Sequence, residues 1–432
     1  MYTEALKMMG IEQLNPMQKQ MLSKAKQKDN VVLLSPTGSG KTIAFLLAIL
    51  NRLDQDTDGI QTLIVVPSRE LALQIYDVFK MLKTSYKSTV CYGGHEMRIE
   101  KNNLNEAPSL LIGTPGRIVD HINRGHIDLS HTKQIVLDEY DKSLEFGFKK
   151  ELKFIFDQMP RLQSRYLTSA TVQDEYPRFV GRVEFTEINV LKRQESKLEF
   201  KRLHTTSEDK LETLNHLICA LKETTSLIFC NHRDAVERIS QTLNKRGVNH
   251  GVFHGGLEQM DRERALIKFR NGSSRILICT DLAARGLDIP EIGNVIHYQV
   301  PRKEEDFIHR NGRTARMHAE GKAFIIICET EFKPDYIMAG EELSIPEDSQ
   351  PPKNPDWTTL FISAGKKDKV NKFDIVGFFY KTGGLEKSEL GHIEVKDNMS
   401  FVAVKASKAK QVSNALNNKR IKKQKVRISI AR

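Results

Sequence analysis

Residues 31–42 read VVLLSPTGSGKT: an apolar run, a glycine-rich turn, and then the start of the apolar segment IAFLLAIL (43–50). The run has the length and β-branched content of a buried strand, and the segment after the turn is long enough for a helix. Gly38 and Gly40 let successive backbone N–H groups turn toward one anion, and the following helix adds the positive end of its dipole. Thr37, Gly38, Ser39 and Gly40 would line such a phosphate cradle. Lys41 would reach the β- and γ-phosphates of a bound nucleotide, and the hydroxyl of Thr42 would ligate Mg²⁺. The general pattern places glycine at position 35, where this chain has Ser35.

Outward from this turn, short apolar runs alternate with longer amphipathic stretches. TLIVVP (62–67), SLLIGTP (109–115), QIVLDE (134–139) and RYLTSAT (165–171) read as strands, with helix-like segments such as ELALQIYDVFKMLK (70–83) and GRIVDHINRG (116–125) between them. Strands alternating with helices predict βαβ units and a parallel sheet covered on both faces. A polar segment near Leu191–Lys201 reads as a linker, and the alternation then restarts with SLIFCN (226–231), HGVFH (250–254), RILICT (275–280), NVIHYQ (294–299) and AFIIIC (323–328). GEELSIPEDSQPPKNPD (340–356), rich in Pro, acid and Ser, reads as a second linker. The order of segments after it is β-α-β-β-α-β. The expected organisation is an α/β domain over 1–195, a second over 196–340, a linker over 341–355 and a small α+β domain over 356–432.

The strand QIVLDE ends in DEYD (138–141), two acids at the carboxyl end of an apolar run. Paired with a phosphate-binding turn, Asp138 would hold Mg²⁺ and Glu139 would orient or deprotonate the attacking water, which is the machinery of a nucleotide hydrolase. SPTGSGKT, PSRELALQ (67–74), GG (93–94), TPGR (114–117), DEYD and SAT (169–171) resemble, in order, motifs I, Ia, GG, Ib, II and III of the DEAD-box RNA helicases. NPMQ resembles that family's Q motif, which makes Gln18 the residue that reads the adenine edge. The resemblance implies two tandem RecA-like parallel-sheet domains and ATP as the substrate. It also implies coupling of hydrolysis to RNA through Asp141, Ser169 and Thr171. Two departures stand out: Tyr140 replaces the family's Ala in motif II, and the aromatic upstream of the Q motif would fall at or before Met1.

In the second half, LIFCN (227–231), QMDR (259–262), TDLAARGLD (280–288) and HRNGRTAR (309–316) resemble motifs IV, IVa, V and VI. A phosphoryl-transfer transition state spreads negative charge over the γ-phosphate oxygens, and arginines stabilise it. The resemblance makes Arg313 and Arg316 those arginines, gives Asp288 the ribose, and has His309 link the water network to domain closure. Asn311 stands where the family has Ile. Arg69, Gly94, Thr114, Arg117, Arg262 and Thr280 match the positions that contact the RNA backbone, contacts that position a strand with little sequence information.

Specificity must then come from the tail. The chain carries +11, and residues 351–432 hold 18 Lys and Arg against 7 Asp and Glu, leaving 48 of each sign in residues 1–350. A basic block on a neutral body points to a polyanion partner. Strand alternation puts Leu360 and Ile362 on one face of a sheet and Phe361 on the other, as in an RNA-recognition motif. DNMSFVAV (397–404) keeps an aromatic at Phe401 but has Met399 where another belongs. Loop and edge contacts from Lys366, Lys367, Lys422 and Lys423 are therefore expected instead of generic base stacking. LFISAGKKDKV, DIVGFF and the ending KVRISIAR resemble the C-terminal domain of DbpA-type bacterial helicases, which implies a hairpin of large-subunit ribosomal RNA and pre-ribosomal particles as partners.

Bulk composition fits a globular chain of several domains, with 432 residues, 39% hydrophobic and 28% charged. No apolar stretch is long enough to span a bilayer, and the N-terminus lacks the layout of a secretory signal, so a cytoplasmic protein without a membrane partner is expected. The five cysteines form no CxxC pair and read as idle buried thiols. The expected activity is RNA-stimulated ATP hydrolysis with local duplex unwinding by a monomer, serving large-subunit assembly. The competing expectation is an ATP-gated RNA clamp or chaperone that unwinds weakly, prompted by Tyr140 and the short Q-motif region.

Overall fold

The computed structural model describes the chain except residues 1, 28–29, 37, 95, 173–175, 192–197, 207–209, 282–291, 315–320, 332, 338–339, 346–349 and 432. It divides into two compact units, the first built on one sheet and the second on two larger sheets and a two-stranded hairpin.

The first sheet contains β1 (Asn30–Leu34), β2 (Thr62–Val65), β3 (Ser88–Cys91), β4 (Leu110–Gly113), β5 (Gln134–Leu137), β6 (Ser164–Ser169) and β7 (Thr186–Asn189). Its order is β3-β4-β2-β5-β6-β1-β7, and every neighbouring pair is parallel. β1, β2, β4 and β5 are buried on both faces. Val31 and Leu33 of β1 join one apolar layer with helices Pro16–Gln27, Lys41–Leu50 and Arg69–Met81, and Val32 and Leu34 join the opposite layer with helices Pro115–Asn123 and Lys149–Asp157. The carboxyl ends of β1, β2, β3, β4, β5 and β6 thus share one edge, where ligands of parallel sheets bind.

The second sheet contains β8 (Leu198–Thr205), β9 (Ser226–Phe229), β10 (Gly251–Phe253), β11 (Ile276–Cys279), β12 (Asn294–His297), β13 (Gly321–Cys328) and β14 (Glu341–Glu342). The order is β10-β11-β9-β12-β13-β8-β14, again parallel throughout. Two differences from the sequence reading fall here. The segment taken as a linker through Lys201 is already strand from Leu198, and Glu341–Glu342, read as linker, adds an edge strand to β8. Both are polar: Lys201 bonds Glu341, so the pairing is dressed with charge in place of apolar side chains.

The third sheet is antiparallel, in the order β16-β17-β15-β20, from β15 (Trp357–Ile362), β16 (Leu390–Val395), β17 (Ser400–Lys405) and β20 (Ile428–Ile430); β18 (Arg420–Ile421) and β19 (Gln424–Lys425) form a separate hairpin. Leu360, Ile362, Val402 and Val404 pack on helices Lys372–Lys381 and Ala406–Leu416. Among the described residues no helix is long and apolar enough to cross a membrane. All five cysteines are buried and free.

Candidate nucleotide site and RNA-facing loops

The turn after β1 has the geometry its glycines demand. Gly38 and Gly40 sit at φ +81° and +88°, the left-handed region that L side chains avoid. A Cβ on Gly40 would lie 2.5 Å from Gln18 Nε2. The Q-motif pair braces this turn. Asn15 and Gln18 exchange backbone-to-side-chain hydrogen bonds at 2.9 Å each, Asn15 Nδ2 donates to the Ser39 carbonyl at 3.0 Å, and Gln18 Nε2 donates to the Gly40 carbonyl at 3.3 Å. Ser35, the residue in place of glycine, donates its hydroxyl to Ser39 Oγ at 2.6 Å, and its N–H donates to the Ser169 carbonyl at 3.0 Å. The Lys41 ammonium donates to the Ser35 and Pro36 carbonyls at 2.6 and 2.9 Å, so a phosphate would compete for it at the mouth of the turn. Thr42 follows in the first turn of the helix and is half-buried. Thr37 lies outside the described residues.

Asp138 and Glu139 follow β5. Asp138 is 3% exposed, and burial holds its carboxyl above the usual carboxylate range, opposed by hydrogen bonds from Thr168 and the Glu139 N–H and by the charge of Lys41. A buried carboxylate at a strand end beside a lysine and a threonine hydroxyl is a hard-oxygen donor set suited to Mg²⁺. Glu139 adopts φ +50°, uncommon for a residue with a side chain, and its N–H also donates to Thr168 Oγ1 at 3.3 Å. Asp141, Ser169 and Thr171 come together as one network. Thr171 Oγ1 donates to Asp141 Oδ2 at 3.0 Å, and Ser169 Oγ donates to the Thr171 carbonyl at 2.8 Å while accepting the Thr171 N–H at 3.0 Å. Tyr140, the departure in motif II, is 1% exposed and turns into the apolar layer with Leu137, Leu144 and Tyr176, leaving Asp141 on Thr171.

The RNA-matching residues of the first unit sit on neighbouring strand ends. Arg69 opens its helix behind the Ser68 cap, whose hydroxyl accepts the Leu71 N–H at 3.2 Å. Gly94, at φ +83°, is where the chain passes that arginine: a Cβ there would lie 2.3 Å from Arg69 Nη1. The Thr114 N–H donates to the Cys91 carbonyl at 3.2 Å, joining the ends of β3 and β4. Arg117 Nε donates to Glu100 Oε2 at 2.6 Å. The sequence reading passed over Glu100, because a lone acid in the polar helix Met97–Leu104 carries no pattern signal.

In the second unit the sequence reading passed over Arg310 of HRNGRTAR. It is fully buried, donating to Asp281 Oδ1 and Oδ2 at 2.6 and 3.0 Å, to the Gln299 carbonyl at 2.6 Å and to Asn231 Oδ1 at 2.8 Å, over the Phe229 ring at 5.3 Å. It thereby ties motifs IV, V and VI together. His309 and Arg313 are also buried at 1% exposure. Arg262 is 5% exposed, with Nη2 donating to Gln259 Oε1 at 2.6 Å, and the half-buried Thr280 donates its N–H to the Phe253 carbonyl at 3.3 Å. Asp288 and Arg316 lie outside the described residues.

The C-terminal sheet turns its aromatic face to protein. Its face opposite the helices packs on the helix Gln259–Arg270 of the preceding domain: Ile267, Phe401 and Ala431 are buried together, with Phe361 and Met399 against them. Asn271 Nδ2 donates to Thr359 Oγ1 at 3.1 Å, Thr359 and Ser273 share a hydroxyl contact at 2.7 Å, and Arg270 pairs with Glu394 at 3.8 Å. The aromatics that strand alternation set on one face therefore face protein. Lys366 and Lys367 are exposed on a turn whose N–H groups donate to the Lys396 and Asp397 carbonyls. Lys422 and Lys423 are exposed as well, and Lys422 also bonds Asp374 at 2.7 Å and the Lys369 carbonyl at 2.9 Å. Phe373 is 86% exposed at the start of the helix Lys372–Lys381, an aromatic the sequence reading passed over.

Comparison with known proteins follows the same three-part division. Residues 15–179 match the DEAD/DEAH box helicase family, residues 209–318 the helicase conserved C-terminal domain, and residues 359–430 the DbpA RNA binding domain. The chain is 30% identical to the ATP-dependent RNA helicase DbpA of Escherichia coli, over 98% of this chain and 95% of that one. It is 27% identical to the DbpA of Bacillus subtilis, over 99% of this chain and 96% of that one. Among solved structures, S. cerevisiae Dbp5 bound to RNA and ADP BeF3 superposes with a TM-score of 0.71 at 26% identity, covering 80% of this chain and 93% of that one.

Proposed function

Because this chain belongs to the DEAD-box ATP-dependent RNA helicases and carries a DbpA RNA binding domain, we propose that it unwinds short duplexes within large-subunit ribosomal RNA during ribosome assembly. The observation that carries the targeting is the module's orientation. Its aromatic sheet face is spent on protein, which leaves RNA contact to the exposed lysine-bearing loops, Lys366, Lys367 and Lys423 among them. In this reading Gln18 with residues 37–42 holds ATP, and Thr42 and Asp138 hold Mg²⁺, which screens the charge on the phosphates. Glu139 orients the water, and Arg313 and Arg316 offset charge on the transferred phosphoryl group with His309 behind them. Asp288 takes the ribose. Asp141, Ser169 and Thr171 couple hydrolysis to RNA held by Arg69, Gly94, Thr114, Arg117, Arg262 and Thr280.

The labour divides over residues 1–195, 196–340 and 356–432, with 341–355 as a connector, in a cytoplasmic monomer acting on pre-ribosomal particles. Tyr140 packs inward while Asp141 accepts from Thr171, so the motif II departure does not favour the weakly unwinding clamp. The test compares ATPase stimulation by a large-subunit ribosomal RNA hairpin fragment and by generic RNA of equal length, at equal salt because phosphate contacts are salt-dependent. Preference for the fragment, lost when Lys366, Lys367 and Lys423 are changed together to Glu, supports targeting. Equal stimulation by both RNAs refutes it.

A further inference from the structure

Glu100 is fully buried at 0% exposure, and such a carboxylate needs several donors to remain charged there. It has three. Oε1 accepts the Tyr92 N–H at 3.0 Å, while Oε2 accepts Arg117 Nε at 2.6 Å and His121 Nε2 at 2.8 Å. His121 Nε2 thus carries a proton toward the carboxylate, and its Nδ1 lies 3.1 Å from His126 Nδ1. The donors come from two places that a strand diagram keeps apart: the residue leading into the Gly93–Gly94 turn, and the helix Pro115–Asn123, which carries both the arginine of TPGR and His121. Cys91 Sγ lies in the same cluster, but burial pushes its thiol well above the usual range, and Arg117 and His121 already share one Glu100 oxygen. The cluster is that of a paired anion, not of metal ligands.

We propose that Glu100 is a positioning residue for RNA binding. It fixes the Arg117 guanidinium, whose side chain is 13% exposed, and through Tyr92 it fixes the Gly93–Gly94 turn, so that one buried charge sets two RNA-facing loops together. Held through Nε by Glu100, with Nη1 3.8 Å from Asp120 Oδ2, the guanidinium is fixed in orientation, and a fixed planar fork is the geometry a phosphate requires. The inference rests on the reading of Arg117 as a phosphate contact.

The experiment measures affinity of the full-length protein for a labelled single-stranded oligouridylate with saturating ATP analogue, across several salt concentrations. The variants are Arg117→Ala, Glu100→Ala, Glu100→Gln and the Glu100→Ala/Arg117→Ala pair. Arg117→Ala should weaken binding about tenfold and reduce the slope of log affinity against log salt by about 0.7, one phosphate contact on a single strand. Glu100→Ala should do the same, and the double variant should be no weaker than either alone. Glu100→Gln carries the test should the alanine fail to fold: with one acceptor oxygen and a donor facing donors, it too should lose slope. If Glu100 variants weaken binding with the slope intact, or their loss multiplies with that of Arg117→Ala, Glu100 supports the fold alone and the proposal fails. An Arg117→Ala variant with unchanged affinity and slope would instead remove the phosphate-contact reading beneath it.

Discussion

The seam between the C-terminal module and the helicase body turns on one hydroxyl, and Thr359→Val tests it. Thr359 is 2% exposed, with Asn271 at 5% and Ser273 at 6%, and its oxygen is a hydrogen-bond partner of both. Valine keeps the shape and removes the oxygen, leaving two buried polar groups without that partner. Each such loss costs about 1–3 kcal/mol, so about 2–4 kcal/mol is expected once partial rehydration is allowed, or about 30- to 1,000-fold in the docking constant. The apolar contacts of Ile267, Phe401 and Ala431 remain, so the module should still fold.

The assay is built into the chain. Trp357 is the single tryptophan, and its Cδ1 lies 3.6 Å from where a Cβ on Gly272 would stand, while Lys405 Nζ sits 4.7 Å above its ring. Its emission therefore reports undocking. With a urea m-value of about 2 kcal/mol/M, the emission midpoint of Thr359→Val should fall by about 1–2 M and precede the loss of far-UV ellipticity. A Thr359→Val/Ser273→Ala cycle should show a coupling of about 0.5–3 kcal/mol. An emission midpoint equal to that of the unmodified protein would refute the seam.

Four further outcomes follow from the geometry. Lys41→Ala and Glu139→Gln should each abolish ATP hydrolysis, the second while retaining nucleotide affinity in a fluorescent-nucleotide titration; turnover at the unmodified rate in either would remove the assignment. The Tyr140 hydroxyl has no hydrogen-bond partner among the described residues, so Tyr140→Phe should be neutral or stabilising by about 1 kcal/mol in thermal unfolding, and Tyr140→Ala should cost about 3–5 kcal/mol. Arg310→Lys cannot reproduce the fork onto Asp281, Asn231 and Gln299 and should destabilise the second unit by about 3–5 kcal/mol in urea. Burial, then the charge of Arg310, pushes the His297 imidazole down to about 3. With the folded value below the unfolded one, that stability is present above about pH 6.5 and drains as pH falls toward 3, about 2 kcal/mol by pH 5. His297→Phe should lose less stability between pH 7.5 and 5 than the unmodified protein; an equal loss would contradict the assignment.

What the sequence disclosed follows the strength of its local signals. β1, β2, β5 and β11 each hold a run of three or more consecutive apolar residues buried on both faces, and each was legible because a buried parallel strand has little other composition to offer. β3 (STVC), β7 (TEIN) and β8 (LEFKRLHT) were not, since short strands with half-exposed, polar or charged residues look like loops and owe their place to neighbours. The same division holds at the site. Gly38, Lys41, Asp138 and the Asp141–Ser169–Thr171 network belong to strings whose spacing carries chemistry. Glu100 and Arg310 act through partners 17 and 29 residues away, a relation spacing does not encode. Alternation correctly separated Phe361 from Leu360 and Ile362, yet it tells only which face a residue is on, never what covers that face.

That last point decides how the tail can be tested. The helix Gln259–Arg270 carries Arg262 in its first turn and Ile267 and Arg270 toward its end, and at 1.5 Å per residue Arg262 and Ile267 are about 7.5 Å apart along one rigid axis. The surface that seats the module and the residue matched to RNA are thus one element. Removing residues 351–432 would uncover Ile267, now 1% exposed, and leave Asn271 and Ser273 without Thr359. A truncated chain could then lose RNA stimulation because the helix bearing Arg262 had shifted, with no targeting contact ever made by the tail. Charge reversal at Lys366, Lys367 and Lys423 leaves the seam untouched, and Thr359→Val loosens the seam while keeping every lysine. If targeting is a property of the lysines, only the first should abolish preference for the ribosomal fragment. If it depends on where the module is held, the second should reduce that preference as well, in proportion to the undocked fraction reported by Trp357.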